Sequence, residues 1–179
     1  MTPIHARPGT KAPRTPAVLV LMASMLALAG PGAGASAQGP GAGDGIRLGV
    51  TFGGIGTVGV VAEYFDGTRG YDLTVGTWSF RDLSISATVR EYFGAGAARP
   101  FVGAGLWLVT ASPSGERTGL ALVLRAPVGV DWRAAPDHYL GAALDVDRAL
   151  WVRRTDPADD VPLNRRLVPL PGIYYRWSL

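Results

Sequence analysis

Two acids two residues apart, Asp145 and Asp147, and the neighbouring Asp131 and Arg133 are the groupings in this sequence that come nearest to chemistry. Residues i and i+2 of a strand share a face, so Asp145 and Asp147 could act as an acid–base pair or hold a cation. The matching number of nearby arginines makes mutual charge pairing the better use of them. His138 stands alone at a turn, the position of a surface histidine. Gly53-Gly54-Ile55-Gly56 lacks the following Lys-Ser/Thr and helix of a phosphate loop, and is a hairpin turn. The segment Trp151 to Leu167 (WVRRTDPADDVPLNRRL) is the longest predicted loop and carries Arg153, Arg154, Arg165 and Arg166. Paired arginines can grip lipid phosphates bidentately; pairing with Asp156, Asp159 and Asp160 is the preferred alternative. No catalytic set, cofactor site or metal site emerges, and the chain is expected not to be an enzyme.

These residues sit in a chain whose apolar side chains recur at every second position from Ile46 onward, in stretches broken by Gly, Pro, Asp and Asn. That is the strand period rather than the helical one. Eight strands are predicted, near Ile46–Phe52, Thr57–Phe65, Gly70–Trp78, Leu83–Arg90, Phe101–Val109, Leu120–Arg133, Tyr139–Asp147 and Gly172–Leu179. The expected fold is all-β, a single antiparallel up-and-down barrel, because eight strands close around a space that side chains just fill. Pro127 should break or bulge the sixth strand. Pro169 and Pro171 should delay the pairing of the last strand to about Gly172.

Alternation alone leaves open which face is inside. A water-soluble barrel turns its apolar face inward, and a membrane barrel turns it to lipid and fills the lumen with polar groups. The membrane arrangement is favoured here. The polar face is rich in Gly, Ser and Thr, and no lysine follows residue 37. That face also balances Arg47, Arg90, Arg125, Arg133 and Arg176 against Glu63, Asp72, Asp131, Asp145 and Asp147, as pairing in a narrow lumen requires. Tyr64, Tyr71, Trp132, Tyr175 and Trp177 recur near strand ends, where an aromatic girdle sits. A one-residue slip would turn the five arginines into lipid, at about 2–4 kcal/mol each near the midplane.

The N-terminal residues set the address. Met1 to Pro16 is cationic with no acid, Ala17 to Ala29 (AVLVLMASMLALA) is apolar, and Ala35-Ser36-Ala37 fits an Ala-x-Ala cleavage site. The apolar run is shorter than the ~20 residues a membrane helix needs, so residues 1–37 are taken as a cleaved secretory signal rather than an uncleaved anchor. Residues 38–45 form a Gly/Ala/Pro leader and 46–179 the barrel. The chain has no cysteine, so rigidity must come from packing and sheet closure. No basic stripe with interleaved aromatics suggests nucleic acid.

Arg99-Pro100-Phe101-Val102-Gly103-Ala104-Gly105-Leu106, Arg125-Ala126-Pro127-Val128-Gly129-Val130-Asp131-Trp132 and Gly172-Ile173-Tyr174-Tyr175-Arg176-Trp177 together resemble strands of the small eight-stranded outer-membrane proteins. The membrane domain of outer membrane protein A belongs to that group. The resemblance runs from Ile46 to Leu179 in loose patterns and implies fold and location only. Members usually end in Phe; this chain ends in Leu179. Lipid A deacylases on this fold carry a Ser two residues after their His, where this chain has Leu140. The expectation is a monomeric, non-enzymatic barrel of the outer membrane, delivered by the secretion and barrel-insertion machinery. A ligand-binding barrel, membrane or lipocalin-like, is the alternative, and a lipid-modifying enzyme comes third.

Overall fold

A computed structural model describes residues 44–111, 118–156, 159, 161–164 and 166–179. The signal, its cleavage site and most of the leader lie outside the described residues, as does Arg165.

The period-two pattern becomes eight strands: β1 (Gly45–Gly53), β2 (Gly56–Asp66), β3 (Arg69–Thr77), β4 (Asp82–Tyr92), β5 (Ala98–Ala111), β6 (Gly119–Ala135), β7 (His138–Arg153) and β8 (Val168–Ser178). Each pairs antiparallel with the next, and β8 pairs with β1, so the sheet closes into a barrel. Closure removes the sheet edges that an open sheet of this size would expose. An even strand count puts the start of β1 and the end of β8 at one end, together with the turns after β2, β4 and β6. The turns after β1, β3, β5 and β7 lie at the other end, called here the loop end. β5, β6 and β7 are longer than the rest and rise above it.

Local chemistry explains where the ladders hold and where they do not. Pro127 does not interrupt β6, and the β6–β7 ladder runs through it opposite Asp145. The β5–β6 ladder is the one that opens, between Val102↔Val128 and Gly105↔Arg125, without a change of register. Backbone N–H groups of successive residues point to alternate neighbours, and Arg133, of the same parity as Pro127, donates to Ala97 O beyond β5. The missing donor of Pro127 is therefore on the β5 side only. Gly103 stands opposite, where a Cβ would lie 2.9 Å from the proline ring, so glycine is what fits there.

The expectation for β8 needs correction. It pairs with β7 from Val168, four residues before Gly172, although its ladder with β1 begins only at Gly172. Pro171 accepts from Gly54 N on the β1 side, so Pro169 and Pro171 lack their donors on that side, and the β7 ladder loses nothing. Likewise β7 continues through Arg153 into the predicted loop, because β6 offers it partners as far as Leu120.

Candidate functional site: a sealed lumen of alternating charge

The inward-facing side chains form the site. Nine of the ten residues expected in the lumen meet there in two ion-paired sets. In the half nearer the termini, seven charged groups alternate in sign. Arg99 reaches Asp131 at 3.6 Å and Asp131 reaches Arg47 at 3.7 Å. Arg47 reaches Glu63 at 3.2 Å, and Glu63 reaches Arg176 at 3.0 Å. Arg176 contacts Asp72 at 3.1 Å, and Asp72 pairs with Arg90. Toward the loop end Arg125 lies between Asp145 at 2.8 Å and Asp147 at 3.2 Å. The first set has one more cation than anion and the second one more anion than cation, so together they are neutral. All ten of these side chains are buried. Arg133 shares the face but is half-buried at the end of β6.

Pairing at this depth is what makes the arrangement possible, since a buried charge without a partner costs several kcal/mol. Phenols add further bonds. Tyr92 donates to Glu63 and accepts from Arg176 at 3.1 Å, and Tyr174 donates to Asp131 at 3.1 Å. Phe65, Tyr92, Phe101 and Tyr174 form one cluster and supply ring faces for the guanidinium groups. Arg47 sits 4.0 Å from the centres of both Phe65 and Tyr139, and Arg176 4.1 Å from Tyr174. Such cation–π contacts suit Arg, whose planar cation is weakly hydrated.

Small residues make room for the large ones. Gly141 lies beneath the Tyr174 ring, where a Cβ would fall 2.0 Å from it, and Gly70 lies beneath Glu63 and Tyr92. Above the Arg125 trio the lumen turns apolar. Ile55, at the tip of the β1–β2 turn, is 2% exposed and packs with Trp107 and Val123. The turn predicted from its glycines thus also closes the lumen. Between the charge sets and this plug lies a cavity of ≈ 30 Å³, lined by Thr74, Ser86, Thr88, Arg90, Arg125 and Asp145 among others.

The outer face is the reverse. Phe52, Val60, Leu73, Val89, Leu124, Leu144 and Ile173 are all exposed there. Tyr64, Tyr71, Trp132, Tyr175 and Trp177 occupy the outer face toward the end bearing the termini, with Tyr64 and Tyr71 stacked. An apolar trough of ≈ 520 Å³ runs over Ala142 between Val130, Trp132, Leu140, Ile173 and Tyr175.

Alternation over the predicted strands leaves Arg99, Ile55 and Tyr92 of the lumen unmarked; Tyr92 enters it because β4 runs two residues past Arg90. Arg99 precedes the strand predicted from Phe101; β5 begins at Ala98, and Arg99 is inside by parity with Phe101. Ile55 belongs to a turn, where no strand period applies. His138 opens β7, is exposed, and meets the Tyr175 hydroxyl at 2.6 Å. Of the loop arginines, Arg153 belongs to β7, and Arg154 pairs with Asp159 at 3.1 Å. The Arg166 backbone N–H donates to the Asn164 side chain. Among the described residues, Arg153, Arg154 and Arg166 share no common side-chain partner. No protein-family model, curated protein or solved structure matches the chain, so its own side chains carry the functional reading.

Proposed function

We propose that this chain is a non-enzymatic structural or surface protein that spans a bacterial outer membrane as a sealed barrel. The observation that carries this reading is the inverted distribution of side chains, with ten charged groups buried inside and large apolar groups exposed around the outside. In water that exterior would be a continuous apolar band far beyond the few hundred Å² a soluble monomer exposes. In lipid it is the expected surface, flanked by aromatic residues at the interface. The two longest connections, after β5 and β7, both lie at the loop end, as the longer external loops of such barrels do.

The lumen cavity of ≈ 30 Å³ is roughly a tenth of the smallest volume typical of ligand sites, which favours a structural barrel over a carrier. Cell fractionation tests the reading. The mature protein is expected with the outer membrane, to need detergent for extraction, and to migrate differently on a gel with and without heating. Recovery in the soluble fraction without detergent would overturn it.

A further inference from the structure

Below the Ile55 plug the inward positions change from long side chains to short ones. Thr51 of β1, Thr74 of β3, Ser86 and Thr88 of β4, Ala143 of β7 and Gly172 of β8 all line the cavity of ≈ 30 Å³. Sheet closure fixes the width of the barrel, so short side chains on facing strands leave space between them. Every residue lining that space belongs to a strand or to the β1–β2 turn. The space is also polar. Thr74, Ser86 and Thr88 are buried, and the hydroxyls of Ser86 and Thr88 meet at 3.3 Å. A hydroxyl has one donor and two acceptor sites, so that single contact leaves each with unused capacity.

Both charge sets reach this cavity, the first through Arg90 and the second through Arg125 and Asp145. Arg90 ends the seven-residue chain, and its side chain is nine-tenths buried. Its Nε faces Asp72, but its Nη1 is buried with no hydrogen-bond partner. The rings of Phe101 and Tyr174 lie 4.7 and 5.1 Å from the guanidinium carbon. They offer ring faces to the cation and no oxygen to that N–H. A buried donor without an acceptor is costly, and the cavity is where an acceptor fits.

The charges decide what kind of ligand can sit there. The two sets together are neutral, so an ion of either sign would leave a net charge in the sealed interior. A small neutral molecule that both donates and accepts avoids that cost. A water needs about 10–15 Å³ of such space and two to four polar partners, so the ≈ 30 Å³ here holds about two.

We propose that this cavity is a buried water site that links the two charge sets into one network. Its water accepts from Arg90 Nη1, bonds to the hydroxyls of Thr74, Ser86 and Thr88, and donates to Asp145. The site depends on the barrel interior alone, whichever solvent meets the outer face.

A crystal structure of the mature protein, grown with sodium bromide present and at a resolution that shows ordered water, tests the site. Density is expected in the cavity within hydrogen-bond distance of Arg90 Nη1, with no anomalous bromide signal. A cavity without density, a bromide peak inside it, or Arg90 Nη1 bonded directly to a protein oxygen would each overturn the proposal. In solution the Ala143 methyl reads the same space. A water-to-methyl nuclear Overhauser effect is expected there, and Thr88→Val, which keeps the side-chain shape and removes a hydroxyl, should reduce it by about half or more. Dispersed amide signals establish that each sample is folded. Silence at Ala143 in the folded wild type, or an effect unchanged in Thr88→Val, would count against the site.

Discussion

Glu63 of β2 and Arg176 of β8 meet at 3.0 Å inside the barrel, their side chains 0% and 1% exposed. The two residues are far apart in sequence, and β1 lies between their strands. The contact thus crosses the lumen behind β1 and ties the last strand to the second. Arg176 also holds Asp72 and Tyr92, so removing it leaves Glu63 to Arg47 and Asp72 to Arg90 alone and the buried interior one cation short. Arg176→Met is expected to cost about 3–5 kcal/mol, whereas Leu73→Ala on the outer face should cost far less if, as proposed, that face meets lipid, since it then only trims a side chain in a solvent of similar polarity. Denaturant unfolding of the reconstituted barrel measures both. Adding Glu63→Gln to Arg176→Met should recover part of the loss, the non-additivity expected of a shared network.

Arg125 gives an independent check at the other charge set. It is the single cation between Asp145 and Asp147, so Arg125→Leu should destabilise the barrel more than Leu124→Ala one residue along. Equal losses in the same unfolding assay would show that the inner pairing does not carry stability.

The filled lumen predicts electrical silence. Ile55, Trp107 and Val123 close the loop-end half, and the seven-residue charge chain closes the other. In a planar bilayer the wild type should give no large, steady conductance. Ile55→Gly should leave it silent, because the charge chain persists below. A stable open channel in the wild type would contradict a sealed interior.

Gly141 and Tyr174 predict a steric outcome. A Cβ on Gly141 would lie 2.0 Å from the Tyr174 ring, so Gly141→Ala should displace that ring from Asp131 and lower the temperature at which gel migration changes. The same substitution in a Tyr174→Ala background should cost less than it does alone.

Cleavage is expected before Gln38, and mass spectrometry of the mature N-terminus decides it. A protein still beginning near Met1 would remove the basis for export.

Strand positions, facing and the neutrality of the inner surface were legible in the residues, because the strand period is local: alternation needs only neighbours in the chain. Leu83, Ile85, Ala87 and Val89 against Ser84, Ser86, Thr88 and Arg90 already separate the two faces of β4. The wall was therefore readable, along with nine of the lumen charges. Which charge holds which was not. Arg47 meets Asp131, and Arg176 meets Glu63 and Asp72, because closure brings distant strands to face one another across a space a few side chains wide, and no period encodes a contact across a lumen. The same limit hid the closing role of Ile55, the side on which Pro127 and Pro169 lose their donors, and the bulge at Leu150 that turns Arg153 outward. The sequence by itself determined an alternating wall with a charged side and an apolar side. The tertiary structure alone decided the pairing, the plug and the exceptions to alternation, because each depends on which strand lies beside or across from another.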